Sequence, residues 1–149
     1  MQQETFYKIF QVRGGRPTTL FHGVDGSRTL PLGEWIEAEV EEVHDGSGGT
    51  TYQSGFHVIP KRPQAIDYLR QFEKERPLVI CKVDAEDIWP KVHSNSPVEL
   101  ARHMRIRPRW WLLADNPEGA PEPIGREVRM EMDNLTLEHT TDTYSESPI

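Results

Sequence analysis

The sequence predicts an α+β fold: an antiparallel, strongly twisted β-sheet with one main α-helix packed on it and a disordered acidic C-terminal tail. Three observations carry this expectation. Residues 6–13 are rich in aromatic and β-branched side chains and run into Gly14-Gly15, the pattern of a strand entering a tight hairpin. Residues 64–74 put Ala65, Ile66, Leu69 and Phe72 on one stripe at helical spacing. Residues 78–83, LVICKV, are almost continuously apolar, as in a central strand covered on both faces.

In the first strand, Phe6, Phe10 and Val12 share one face with Lys8 between them, and Tyr7 and Ile9 take the other. Residues 18–22 are the expected return strand, and Asp25-Gly26 centres a second turn at 24–28. Pro31 and Gly33 predict an extended approach that bends before Trp35, with Trp35, Ala38 and Val40 facing inward. Glu34, Glu37, Glu39, Glu41 and Glu42 form an acidic run that reads as a solvated face. The glycine loop DGSGG at 45–49 lacks the lysine and the spacing of the known phosphate loops. Residues 51–59 predict a short strand broken at Gly55, where a glycine marks a bulge or a close backbone approach. In that strand Phe56 and Val58 point to the core and His57 points away. Pro60 and Pro63 end it and open the helix. Residues 84–95 look irregular, 98–104 look like a short helix with Leu100, Ala101 and Met104 inward, and 105–113 a last strand limited by Pro108. The expected organisation is one domain over 1–114, a linker with an additional strand at 126–132 within 115–132, and a disordered tail over 133–149.

The chain has 149 residues, of which 36% are hydrophobic and 28% charged, with a net charge of −7. That balance fits a small core with unstructured segments, and it argues against nucleic acid held through broad phosphate neutralisation. The single cysteine, Cys81, lies in the apolar run and reads as a buried core thiol. The amino terminus MQQETFYK lacks a signal-type apolar segment, and no apolar run approaches the roughly 20 residues of a membrane span. The expectation is a soluble, cytoplasmic protein with no membrane partner.

The segment RHMRIRPRWW, residues 102–111, concentrates the cationic chemistry. Arg105, Arg107 and Arg109 alternate, so an extended chain would point them to one side with Ile106 on the other. Guanidinium groups suit phosphate, and Trp110 and Trp111 offer flat faces for a base. The competing reading is that these cations neutralise the protein's own acids, the 34–42 run or the tail. His22, His44, His57, His93 and His103 have no zinc-type spacing, and Ser47 or Ser54 near His57 sits in no nucleophile elbow. No metal, cofactor or catalytic residue is expected.

The segments FYKIFQVR, LFHG, LPLGEWIEAE and SGFHVIP, followed by Leu100, Ala101 and Met104 in a basic stretch, resemble a group of small proteins found in phage and prophage genomes. The shared elements run from residue 6 to 106. The group has no established activity, so no catalytic residue carries over. The resemblance implies an accessory phage protein acting in the host bacterial cytoplasm. In that setting small proteins sequester nucleotide immune messengers, which suggests a non-enzymatic binder of an anionic nucleotide, with homo-oligomers compatible. The residue types required for such a ligand are Trp35, Tyr52, Phe56, His57, Arg105 and Arg107. One alternative is a nucleotide-processing enzyme with an ADP-ribosyltransferase-like fold, its Gly-Phe-His strand lining the cleft and Glu99 or Glu86 as the acid. The other is a protein-interaction module that inhibits a host factor through the acidic tail.

Overall fold

The computed structural model describes residues 4–19, 29–39, 42–44, 51–72, 77–91, 96–119 and 143–144, with the backbone alone at 42–44, 51–52 and 143–144. The expected turn at 24–28, the loop at 45–49, the strand at 126–132, and His22 and His93 lie outside the described residues. The strands are β1 (Glu4–Arg13), β2 (Arg16–Thr18), β3 (Trp35–Ala38), β4 (Glu42–His44), β5 (Thr51–Gln53), β6 (Phe56–Val58), β7 (Leu78–Pro90), β8 (Glu99–Arg105) and β9 (Thr143–Tyr144). The helices are α1 (Arg62–Leu69) and α2 (Pro108–Leu112). The main sheet has the order β2-β1-β7-β8-β3-β9, β6 pairs with β8, and β4 and β5 form a separate hairpin. All pairings are antiparallel except β3 with β9. The fold is therefore α+β, a curled antiparallel sheet with one main helix packed on it. Two residues of the segment expected to be disordered, Thr143 and Tyr144, pair in parallel with Glu37 and Ala38.

The first hairpin forms as its sequence dictates. Gly14 and Gly15 have φ of 56° and 77°, and Arg13 pairs with Arg16. Two successive positive φ angles match the twist of the flanking strands, and glycine adopts them without strain, with asparagine the next best at the first position. The sheet then curls until Ile59 meets β1, where Tyr7 and Ile59 exchange backbone hydrogen bonds of 2.8 and 2.7 Å. Lys8 reinforces this closure. Only 1% exposed, it donates from Nζ to the His57 carbonyl at 2.8 Å and lies near the rings of Phe10 and Phe56.

Curling creates two cores. Inside, Phe6, Phe10, Val12, Val83, Phe56 and Trp111 pack together. Outside, Ile9, Leu78 and Ile80 pack beneath Ala65 and Leu69 of α1. Pro63 occupies the first turn of α1, and Ile66 and Phe72 complete the expected stripe at partial burial. The helix stops at Leu69, short of the predicted end at 74. Cys81 is buried among the inner core, and burial pushes its thiol well above the ordinary range.

Four local expectations are corrected. The region after 83 continues as strand to Pro90. The predicted helix at 98–104 is β8, and the predicted last strand is α2, which begins at Pro108. Trp35 faces outward while Ile36 and Ala38 enter the core, because strand parity puts 35 and 36 on opposite faces. The misread helix has a specific cause. On β7 the inward residues are Val79, Cys81, Val83 and Ala85, but the next is Ile88; on β8 they are Ala101 and then Met104. Both paired strands shift phase together around Asp87, whose φ of 57° is left-handed. Aspartate tolerates this region better than most residues. The resulting three-residue step from Ala101 to Met104 imitates helical spacing.

The hairpin assignment makes a direct prediction. Gly14→Ala should lower stability by about 1 kcal/mol, because a Cβ at positive φ is strained, although the position has open space around it. Gly14→Asn should keep most of the stability. Chemical denaturation of the three proteins reads the effect, and an alanine variant as stable as the parent would refute the turn geometry.

Candidate functional site

The expected cationic segment builds a cluster on the outer face of the sheet, and its centre is an acid. Asp84 on β7 is 0% exposed and stands opposite Arg105 on β8. Its Oδ2 accepts from Arg105 Nε at 2.9 Å and from Arg107 Nε at 2.7 Å. Arg105 Nη2 lies 2.8 Å from the same oxygen. Arg107 Nη2 donates to Oδ1 at 3.3 Å. Asp84 in turn keeps the Arg107 guanidinium protonated above its ordinary range, chiefly through the side-chain hydrogen bond. The expected alternation holds for Arg105 and Arg107, with Ile106 buried between them. Arg109 leaves the series because the chain has turned into α2. The protein's own acids are thus engaged: Asp84 takes Arg105 and Arg107, and Glu37 of the acidic run takes Arg102.

Aromatic rings flank the clamp. The Arg105 guanidinium lies 4.8 Å from the centre of the Trp35 ring and that of Arg107 4.5 Å from Trp110. Lys82, two residues before Asp84 on the same face, places Nζ 5.3 Å from the Trp110 ring centre. Such contacts are attractive through the ring quadrupole and are weakened where the cation stays hydrated, as at Arg107 and Lys82. The result is a series Trp35, Arg105, Arg107, Trp110, Lys82 in which the two guanidiniums share the carboxylate of Asp84 and Lys82 lies against the Trp110 ring. α2 makes this placement possible. It drives Trp111 into the inner core, where Nε1 donates to the Gly15 carbonyl at 2.9 Å and the ring meets Phe10 edge-on. Trp110, the next residue back, is thereby left on the outer side, half-buried.

Beyond Trp110 a cleft of about 310 Å³ opens along the sheet. Tyr7, Ile80 and Lys82 line its sheet side, and Arg62 and Asp115 close it opposite. Arg62 Nη2 donates to both oxygens of Asp115, at 3.0 and 2.9 Å. The Asp115 backbone is pinned to Ile80 by two hydrogen bonds, so the chain stays attached just past the expected boundary at 114.

The other expected ligand residues are placed elsewhere. Phe56 is fully buried in the inner core. Gly55 allows β6 to approach closely, since a Cβ there would lie 3.0 Å from the Ala101 carbonyl and from the Trp89 ring. His57 is on the opposite face of β6, as expected, but only 6% exposed. Burial, with Lys8 and Lys91 nearby, depresses its pKa well below 6.5. Tyr52 is in β5, and its side chain lies outside the described part. Glu99, named in the enzyme alternative, pairs with Pro90 and Val58, and burial with nearby Glu4 holds its carboxyl above the usual range. The structure therefore groups Trp35, Arg105 and Arg107, and separates them from Phe56 and His57. It adds Asp84, Lys82, Tyr7, Arg62 and Asp115. Of these, Lys82 and Asp84 carried a legible signal: they are the polar alternation within the apolar run that forms β7.

A second polar line crosses β7, β8 and β3. His103 Nδ1 is 2.9 Å from Asp87 Oδ2, and its Nε2 is 4.0 Å from Glu37 Oε1. Arg102 also donates to Glu37, at 3.3 Å. Among the described residues no three histidine, cysteine or acidic side chains are grouped to hold a metal. No described helix is long and apolar enough to cross a membrane. No protein-family profile matches the chain, and no curated protein or solved structure is significantly similar to it.

Two predictions follow from this geometry. Asp84→Ala should cost about 2 kcal/mol, because it removes the shared, fully buried acceptor of two charge-assisted hydrogen bonds. Arg107→Ala should cost less, since Arg105 still covers the carboxylate; equal and small losses on denaturation would disprove the clamp. For His57 the folded pKa is depressed, so below 6.5 the unfolded chain binds more protons than the folded one. The stability held above that pH is lost as pH falls toward the folded value. His57→Gln should flatten the decline from pH 6.5 to about pH 5, and parallel stability curves for the two proteins would count against a neutral, buried His57.

Proposed function

We propose that this chain binds a phosphorylated small molecule of the nucleotide class on the outer face of its sheet and holds it unchanged. One observation carries the reading. Arg105, Arg107 and Lys82 alternate with Trp35 and Trp110 beside a cleft. Such a surface, in a chain of net charge −7, joins the two chemistries that match a nucleotide, cations for the anion and flat rings for the base. Anchoring by Asp84 also preorganises the guanidiniums, so less side-chain entropy is lost on binding.

The biological role we propose is sequestration of a nucleotide messenger by a phage-type accessory protein. That role rests on the resemblance of the LPLGEWIEAE and SGFHVIP segments to small phage proteins. A thermal-shift screen against cyclic and linear nucleotides, with mass spectrometry of each mixture, tests it. A ligand at 100 times its Kd should add about 2.7 kcal/mol and be recovered intact. The triple variant Asp84→Asn, Arg105→Gln, Arg107→Gln removes both guanidiniums without stranding a carboxylate and should lose the shift. A ligand recovered in altered form would make the protein a nucleotide-processing enzyme. Absence of any shift across the panel would reject the nucleotide reading and favour a protein-interaction module.

A further inference from the structure

Within the nucleotide reading above, on which this step rests, the cleft beyond Trp110 has a more specific chemistry. Lys82 is exposed and, among the described residues, its ammonium contacts only the Trp110 ring. Arg105 and Arg107 spend their hydrogen bonds on Asp84, whereas Lys82 has no carboxylate there. A cation held only by an aromatic face can move onto an incoming phosphate without breaking an ion pair.

The opposite end of the cleft carries an acceptor. Asp115 is fastened beside Ile80 through its backbone and receives both of its described side-chain bonds from a single nitrogen of Arg62. Each carboxylate oxygen can accept further bonds. Lys82 lies two residues along β7 from Ile80, a step of about 7 Å. A phosphate is repelled by Asp115 and attracted by Lys82, while sugar hydroxyls and ring N–H groups are attracted by Asp115. The volume of about 310 Å³ is at the lower end of small-molecule sites, about 300–1,000 Å³, and suits one nucleotide, not two.

We infer that this cleft is a mononucleotide site: Lys82 takes the phosphate, Tyr7 and Trp110 border the ring, and Asp115 accepts from the sugar or base edge. This assigns the phosphate contact to a residue outside the arginine clamp and sets a single nucleotide as the ligand size.

The test uses the full chain with the four nucleoside 5′-monophosphates, their nucleosides, inorganic phosphate and a dinucleotide, by calorimetry and by NMR of the tryptophan indole N–H groups. At least one monophosphate should bind more tightly than the dinucleotide and shift the Trp110 signal. Lys82→Ala should weaken that monophosphate about tenfold or more while leaving the weaker binding of its nucleoside unchanged. Asp115→Asn should weaken both. If a nucleotide binds but moves Trp35 and not Trp110, or ignores Lys82→Ala, this cleft assignment is wrong and the broader nucleotide reading survives. Binding of inorganic phosphate as tight as any monophosphate would likewise overturn the ring site. No binding by any compound would overturn the cleft assignment, and the broader reading would then fall only if the cyclic nucleotides of the thermal-shift screen also gave no shift.

Discussion

The outer face of this protein depends on one buried charge. Asp84 is wholly removed from solvent, and a carboxylate in that position is tolerable only if its oxygens are covered by strong donors. Arg105 and Arg107 supply them from the end of β8 and from the residue before α2. The clamp thus ties the end of β8 and the start of α2 to β7, and α2 directs the two adjacent tryptophans to different sides. Trp111 fills the core and Trp110 is left beside the cleft. A structural ion cluster and a candidate binding surface are thus the same set of atoms viewed from its buried and solvent sides.

A similar economy closes the sheet. Lys8 lies in the middle of an otherwise apolar face, yet its ammonium reaches the His57 carbonyl and the rings of Phe10 and Phe56. Together with the paired bonds between Tyr7 and Ile59, this brings the first strand to the end of β6. Closure is what gives the sheet an inside and an outside, and so gives α1 a face to cover. Burial above all, with this positive charge and Lys91 adding to it, depresses the pKa of the neighbouring His57, which suits a histidine packed in the fold more than one presented to a ligand.

The distinction between engaged and available cations is central to the functional reading. Arg105 and Arg107 have the residue type and the alternation of a phosphate site, but their primary partner is Asp84. They contribute field and rigid geometry. Lys82 is an exposed charge on the same ring that Arg107 covers. Charge counted over the whole chain conceals this local excess, because long-range contributions are screened within about 8–10 Å at ordinary ionic strength.

The sequence by itself determined the fold class, the Gly14-Gly15 hairpin, the apolar stripe of α1, the buried run of β7 and the pairing of alternation in Arg105 and Arg107. All of these follow from local rules of period, turn chemistry and φ. Only the tertiary structure decided that Asp84 is the partner of those arginines, that Phe56 and His57 pack away from them, and that Tyr7, Arg62 and Asp115 meet at one cleft. These contacts join residues far apart in the chain, and a single sequence carries no signal for such pairings. The helix read at 98–104 failed for a third reason. A left-handed residue on one strand, Asp87, shifted the phase of its neighbour, so the spacing of Ala101 and Met104 reflects a contact across the sheet and not the local conformation of β8.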